Sequence, residues 1–291
     1  MADQGVQYIE EASLGRLRLD DPRTGYVVTK LDLGHPTVRA VTTDRVGAPG
    51  SLDDTAFHGA RAVSIEVKCS ASEDGATSRR AVLDRLRAYT SPGRRPVLVW
   101  AEDDGVERRV VLRGENAPLT FDRAPGGIGI PVQLAFVAPE GVLERLAETT
   151  ATVSAVATPG SGIGFPVRLP FGFPRSSTYG ATRVVNGGTE AAPPVIELWG
   201  PCTSPVLLNL TTGQRISLPG LTLTAQQYAQ VDVAAATIRL NGRASESLYS
   251  WQEWGVSVFP WIAPGENLLR YTPTDYGAAA HAAIRFRERS I

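Results

Sequence analysis

The chain has 291 residues and a formal net charge of -1, with 43% hydrophobic and 20% charged residues. That composition is too apolar for a disordered segment and long enough for two domains. It also lacks the basic excess that nucleic-acid phosphates require of a binding protein. Lys30 and Lys68 are the only lysines, so nearly all positive charge is arginine. The opening Met-Ala-Asp-Gln-Gly carries neither a basic n-region nor an apolar h-segment, so no cleaved export signal is expected. No apolar run approaches the ~20 residues of a membrane span. Cys69 and Cys202 sit in different halves, and no disulfide framework is expected. His35, His58 and His281 have no Cys, His or acidic neighbour at ligand spacing, so no metal or cofactor is expected.

Residues 26–33 predict a strand with Val27, Leu31 and Leu33 on one face. Residues 63–69 alternate Val63, Ile65, Val67 and Cys69 against Ser64, Glu66 and Lys68, the period of a half-buried strand. One helix is predicted, about 77–90, with Val82, Leu86 and Tyr89 on one side, Arg79, Arg80, Asp84 and Arg87 on the other, and Ser91-Pro92-Gly93 as its stop. Residues 96–100 and 109–112 flank an Asp104-Gly105 turn and read as a hairpin. Residues 131–137 alternate again, and 142–148 read as a second, weaker helix. The Gly- and Pro-rich stretch 151–182 blocks helix and ladder alike and reads as a connector pinned by Phe165, Phe171 and Phe173. Beyond it, short runs at 194–199, 206–210, 214–218, 229–233, 237–240, 257–261, 268–272 and 282–286 alternate with turn residues, Asn241-Gly242 among them. That spacing argues an all-β sandwich or jelly roll. The first half is dense in charge and net acidic. The second is sparse in charge and slightly basic. The boundary is therefore expected near 150, giving domains 1–150 and 183–291 around the 151–182 linker.

Catalytic chemistry has little to stand on. Gly160-Ser-Gly-Ile-Gly164 lacks the Gly-Lys-Ser/Thr of a phosphate loop, and no Gly-x-Ser-x-Gly elbow occurs. Asp53-Asp54 and Glu102-Asp103-Asp104 are paired acids, but a glycosidase needs two carboxylates converging on one site, and solvated turn acids are the simpler reading. Arg79-Arg80, Arg94-Arg95 and Arg108-Arg109 lie among acids, which favours a solvated or subunit-facing surface over a nucleic-acid groove. Trp251, Glu253 and Trp254, with Trp261 nearby, form the one candidate ligand set, since aromatic faces beside an acid can hold a sugar ring. The simpler reading is that these rings fill the sandwich core and its rim. On it, and because Gln252 and Glu253 stand without a histidine or asparagine beside the rings, residues 183–291 bind no simple galactoside or glucoside, and Trp261→Ala costs about 3–5 kcal/mol if its ring is buried. No enzyme activity is expected.

Several segments together resemble the distal tail proteins of long-tailed bacteriophages, the siphoviruses, in their actinobacterial-phage form. Pro193-Pro-Val-Ile-Glu-Leu-Trp-Gly200 is similar to the family's strand entering a glycine. Val206-Leu-Leu-Asn209 followed by Thr211-Thr-Gly213 and Ile216 resembles its P-x-x-x-N-x-T-T-G hairpin. Val231-Asp232 before Thr237-Ile-Arg-Leu240, and Pro264-Gly-Glu-Asn267 before Leu269-Arg-Tyr271, match two further family patterns in order. Asp54-Thr55, Phe57, Gly59, Ala60-Arg61 and Ile65 resemble its F-x-G-R strand entry. Gln226-Gln227 departs from it, standing where relatives often have a glycine.

The resemblance implies a mainly β chain: an N-terminal β-sandwich or barrel-like belt domain with one helix, and a C-terminal galectin-like β-sandwich. It implies a hexameric ring, a structural virion protein at the distal end of the tail. Such a ring joins the tail tube protein to the tail-tip or baseplate hub and its tail-associated protein. It contacts the tape measure and receptor-binding proteins, and DNA only passes through its channel. Synthesis in the host cytoplasm, without membrane insertion, is implied as well. A carbohydrate-binding, adhesin-like module contacting host envelope glycans is the alternative.

Overall fold

The computed structural model describes residues 5–19, 21–40, 42–44, 49, 51–53, 57–71, 78–115, 129–155 and 180–291. The Gly160–Gly164 stretch, Phe165, Phe171, Phe173, Asp54 and Thr55 lie outside the described residues. The chain forms two compact units, Met1–Leu146 with Ser290–Ile291, and Ala147–Arg289.

In the first unit the strands are β1 (Val6–Glu11), β2 (Gly15–Arg18), β3 (Tyr26–Asp32), β4 (Pro36–Arg39), β5 (Thr42–Asp44), β6 (Ser51–Asp53) and β7 (Phe57–Cys69). Helix α1 (Arg79–Tyr89) follows, then β8 (Val97–Ala101), β9 (Glu107–Val111), β10 (Arg113–Gly114), β11 (Ile130–Ala138) and β12 (Leu143–Arg145). One sheet runs β2-β1-β8-β9-β12 and another β10-β11-β7-β3, with β4 also on β7 and β5 paired to β6. Alternation decides which side chains meet between them. Val63, Ile65, Val67 and Cys69 of β7 join Val132, Leu134 and Phe136 of β11, all in register, in one core with Leu98, Trp100, Val110 and Leu112. Val82, Leu86 and Tyr89 of α1 complete that core.

Ser78 caps the helix, its Oγ accepting from the Ala81 N–H at 3.4 Å. Two tyrosines fasten the helix to the sheets: the Tyr26 hydroxyl donates to the Val82 carbonyl at 2.8 Å and the Tyr89 hydroxyl to the Gly15 carbonyl at 3.0 Å. Gly114 must be a glycine, because a Cβ there would lie 1.9 Å from the Thr90 carbonyl oxygen just past the helix.

Three expectations fail in this unit. The 142–148 segment forms strand β12, because Glu144 and Arg145 pair with Arg109 and Arg108 of β9, and seven residues are too few for a self-supporting helix. Val27 is exposed rather than facing the core, since β3 pairs with β7 through a register shift between Val28 and Lys30 that moves the inward set. The unit boundary falls after Leu146, because residues 149–154 pair with a strand of the second unit.

The second unit contains β13 (Thr149–Ser154), β14 (Thr182–Asn186), β15 (Val195–Trp199), β16 (Cys202–Thr203), β17 (Val206–Asn209), β18 (Arg215–Ser217) and β19 (Thr222–Leu223). It continues with β20 (Tyr228–Asp232), β21 (Thr237–Leu240), β22 (Gly265–Tyr271), β23 (Asp275–Tyr276) and β24 (His281–Phe286). Five strands, β13-β24-β15-β20-β21, face four, β14-β22-β17-β18, across a core that includes Ile196, Leu198, Leu207, Ile216, Val231, Leu269, Tyr271 and Ile284. The ladders of these two sheets are antiparallel, and with strands in both units and one α-helix among the described residues the fold is mainly β, as expected.

Residues 257–261 are not a strand. Gly255 has φ 78° and Pro260 has no N–H to give a ladder, so the segment is held by isolated bonds instead. Residues 265–267, read as part of a turn, begin β22.

Burial pushes the Cys69 thiol up to about 11, and its relative exposure is 0%. Cys69 is therefore expected to resist a thiol reagent in the folded chain and to react readily once urea unfolds it. Rapid labelling without denaturant would put β7 one residue out of register.

Candidate functional site

Asn209, Asn267 and Asn186 are fully buried polar residues at the end of the four-stranded sheet. The Asn209 Oδ1 accepts from the Thr211 and Thr212 N–H groups at 3.0 and 3.4 Å, closing the turn that Gly213 completes at φ 74°. The Asn209 amide nitrogen donates to the Asn267 Oδ1 at 3.0 Å. Asn267 in turn donates to the Ala263 and Gly265 carbonyls at 2.7 and 3.2 Å and accepts from the Ala263 N–H at 3.0 Å. Asn186 donates to the Glu190 and Ile262 carbonyls. Two of the family-like motifs, N-x-T-T-G and P-G-x-N, are thus the two ends of one buried amide network. Its role is to hold backbone, and chemistry has no access to it.

The thiols and tyrosines are similarly structural. The Cys202 Sγ lies 3.1 Å from the Tyr271 hydroxyl, and burial pushes both groups above their ordinary values. Neither thiol is a ready nucleophile at neutral pH. The paired arginines are drawn into ion pairs within the first unit: Arg94 with Glu11 at 3.2 Å, Arg108 with Glu102 at 2.7 Å and Arg109 with Glu144 at 3.3 Å. Glu11 also accepts from the Ser13 hydroxyl and N–H and from the Leu14 N–H, and the Ser13 hydroxyl is the main cause of its lowered pKa. Among the described residues no group of three or more His, Cys, Asp or Glu could hold a metal, and no helix is long and apolar enough to cross a membrane.

The candidate ligand set lies on the surface of the second unit. Trp251, Trp254 and Trp261 are 43%, 68% and 36% exposed, and Tyr249 and Val258 beside them are exposed too. The rings therefore do not fill the core, contrary to expectation. The 3–5 kcal/mol assigned to Trp261→Ala assumed a buried ring and does not apply. The expected lack of binding to simple sugars loses one ground, the packing of the rings, and keeps the other, the few polar groups in their segment. Glu253 precedes Trp254 in the chain, and its Oε2 lies 3.8 Å from the Arg215 Nη2. Trp251 rests over Gly220, where a Cβ would already stand 3.5 Å from the indole.

Sequence reading missed a second aromatic group. Trp199, Tyr228 and His281 come from three neighbouring strands onto one face of the five-stranded sheet, with ring centroids 4.4 Å (Trp199–Tyr228) and 5.9 Å (Trp199–His281) apart. Outward alternation along β15 could have flagged Trp199 beside Glu197. Its partners depend on strand order, which no local pattern carries.

Residues 187–289 match the family model described as siphovirus-type tail component, C-terminal domain. Those residues are similar to a siphovirus tail-component domain over about a third of the chain. The resemblance to siphovirus distal tail proteins is thereby upheld, and the two buried asparagine motifs lie inside the matched span. Over 98% of this chain and 99% of the other, the fold is that of the SPP1 Dit protein, at a TM-score of 0.64 and 14% identity. That structure is described as a paradigm of the hub adsorption apparatus in phages infecting Gram-positive hosts. Chains of the phage p2 baseplate in its activated conformation, with Sr or with Ca, align over 96% and 94% of this chain and 96% and 93% of theirs. Both are 9% identical, at TM-scores of 0.47 and 0.45. No curated protein matches the chain.

Proposed function

We propose that this protein is a siphovirus tail component, a structural, non-enzymatic virion protein of the distal tail. Six copies form a ring that joins the tail tube to the tail-tip or baseplate hub and leaves an axial channel for DNA. The observation that carries this reading is the end-to-end likeness in fold to SPP1 Dit, both units included, with the family match on the second. The balanced charge supports it, since a channel wall must let DNA pass without holding it. On this reading the second unit is the galectin-like sandwich outside the ring, and tape measure and receptor-binding proteins are further neighbours.

Static light scattering on the purified full-length chain tests the ring. A particle of six times 31.1 kDa is expected at micromolar concentration, and it should persist on dilution as a closed cyclic assembly does. A monomer at every concentration would refute self-assembly of the isolated protein into the proposed ring.

A further inference from the structure

The first unit separates its charge along the chain. Residues 79–95, helix α1 and the loop that follows it, carry six arginines and one acid, Asp84. The other residues of 1–146 carry 13 Lys+Arg and 20 Asp+Glu, a net of -7. Asp84 is shared, its carboxylate 3.0 Å from Arg87 and 3.8 Å from Arg80, whose side chain is 93% exposed. Arg94 is taken up by Glu11. Arg85 and Arg95 are exposed and have no acid partner among the described residues. The Arg95 guanidinium donates to the Pro92 and Arg94 carbonyls instead.

The counter-charge lies at the far end of β8. The arginine loop enters that strand at Val97, and the turn 102–105 leaves it after Ala101, about 16 Å further along. Glu102, Asp103, Asp104 and Glu107 stand there, with Arg108 as the one cation in residues 101–108. Glu102 pairs with Arg108 at 2.7 Å, and Glu107 accepts from the neutral Gln7 amide at 3.1 Å. The Asp104 Oδ1 closes the turn, accepting from the Val106 N–H at 2.8 Å. Asp103 is exposed and has no cation partner among the described residues.

A unit with unanswered cations at one end of a strand and an unanswered acid at the other is complementary to a second copy of itself, head to tail. Such a heterologous contact joins two different surfaces, and it closes a ring where the rotation allows. Guanidinium suits it, because its planar fork meets a carboxylate through two parallel bonds. A polyanion such as duplex DNA would meet the arginines but also the net -7 of the remaining residues, which repels it. We infer that the arginine side of α1 and its loop, Arg85 and Arg95 foremost, docks on the Asp103 turn of the next copy. This contact is the joint of the ring proposed above and rests on that reading.

Two full-length variants test the contact by static light scattering: Arg85→Glu combined with Arg95→Glu, and Asp103→Arg alone. All three side chains are exposed, so both variants should melt where the wild type does. Each alone should self-associate about tenfold or more weakly, since like charges then face each other. Mixed in equal amounts, they should regain the wild-type mass. Each reversed end then meets one of opposite sign, and an even-numbered ring can alternate the two variants. Wild-type assembly should itself weaken as sodium chloride rises toward about 1 M. Variants that keep the wild-type mass would overturn the proposal and leave the arginines to another partner, a polyanion among them. So would dissociated variants that mixing does not restore, or a wild-type mass indifferent to salt. A wild type that is monomeric at every concentration would instead remove the ring itself, and this contact with it.

Discussion

Trp100→Ala is expected to cost about 3–5 kcal/mol, the range for deleting a large aromatic side chain from a packed core. Trp100 is 0% exposed and is the largest fully buried side chain of the first unit, set on β8 between the two sheets. Its neighbours Val110, Leu98 and Phe136 belong to ladders on both sheets, so they cannot collapse into the space without breaking register. Trp100→Phe should cost far less, under about 1.5 kcal/mol. The indole N–H has no hydrogen-bond partner, so phenylalanine also removes an unsatisfied buried donor. Differential scanning calorimetry of the full chain checks both variants. Equal losses for alanine and phenylalanine would show that the N–H is bonded after all and that volume is not the main term.

The second large effect is expected at Asn267. Leucine there has nearly the same shape but leaves the buried Asn209 amide without its partner and cuts the bonds to the half-buried Ala263 N–H and carbonyl and to the Gly265 carbonyl. Each buried group left unpaired costs about 1–3 kcal/mol, so a loss of about 3 kcal/mol or more is expected. Asn267→Asp should not rescue it, because a carboxylate would point acceptors at two carbonyls. Asn209→Ala should be strongly non-additive with Asn267→Leu, since both break one network. Urea unfolding monitored on the second unit measures the cycle. Additive losses would mean that the two asparagines act separately and that the 3.0 Å bond between them carries no coupling.

Local patterning carried much of this fold. The alternation through Val63, Ile65, Val67 and Cys69 predicts β7 and its inward face, and Asp104-Gly105 predicts the β8–β9 hairpin, because strand period and turn chemistry are local properties. The helix was legible for the same reason, down to its arginine-rich outer side.

The failures share a cause. Residues 142–148 have helical spacing, but their backbone is claimed by β9, a partner distant in sequence. Val27 loses its place to a register shift that only the pairing with β7 creates. Residues 257–261 alternate like a strand, yet Gly255 and Pro260 leave them lying along the edge of β18 with their tryptophans outward. The candidate surface was misread there: Trp251, Glu253 and Trp254 were identifiable as a set, while their exposure and the neighbouring Arg215 were not.

Composition, period and turn residues by themselves determined a mainly β chain of two units with a helix at about 77–90, and the order of the motifs pointed to a phage tail protein. Only the tertiary structure decided that the motif asparagines meet in one buried network, that Cys202 is buried against Tyr271, and that the tryptophans face water. The reason is physical. A side chain's period along its own strand is set by backbone geometry a few residues long. Whether that face is covered depends on which distant strand arrives beside it.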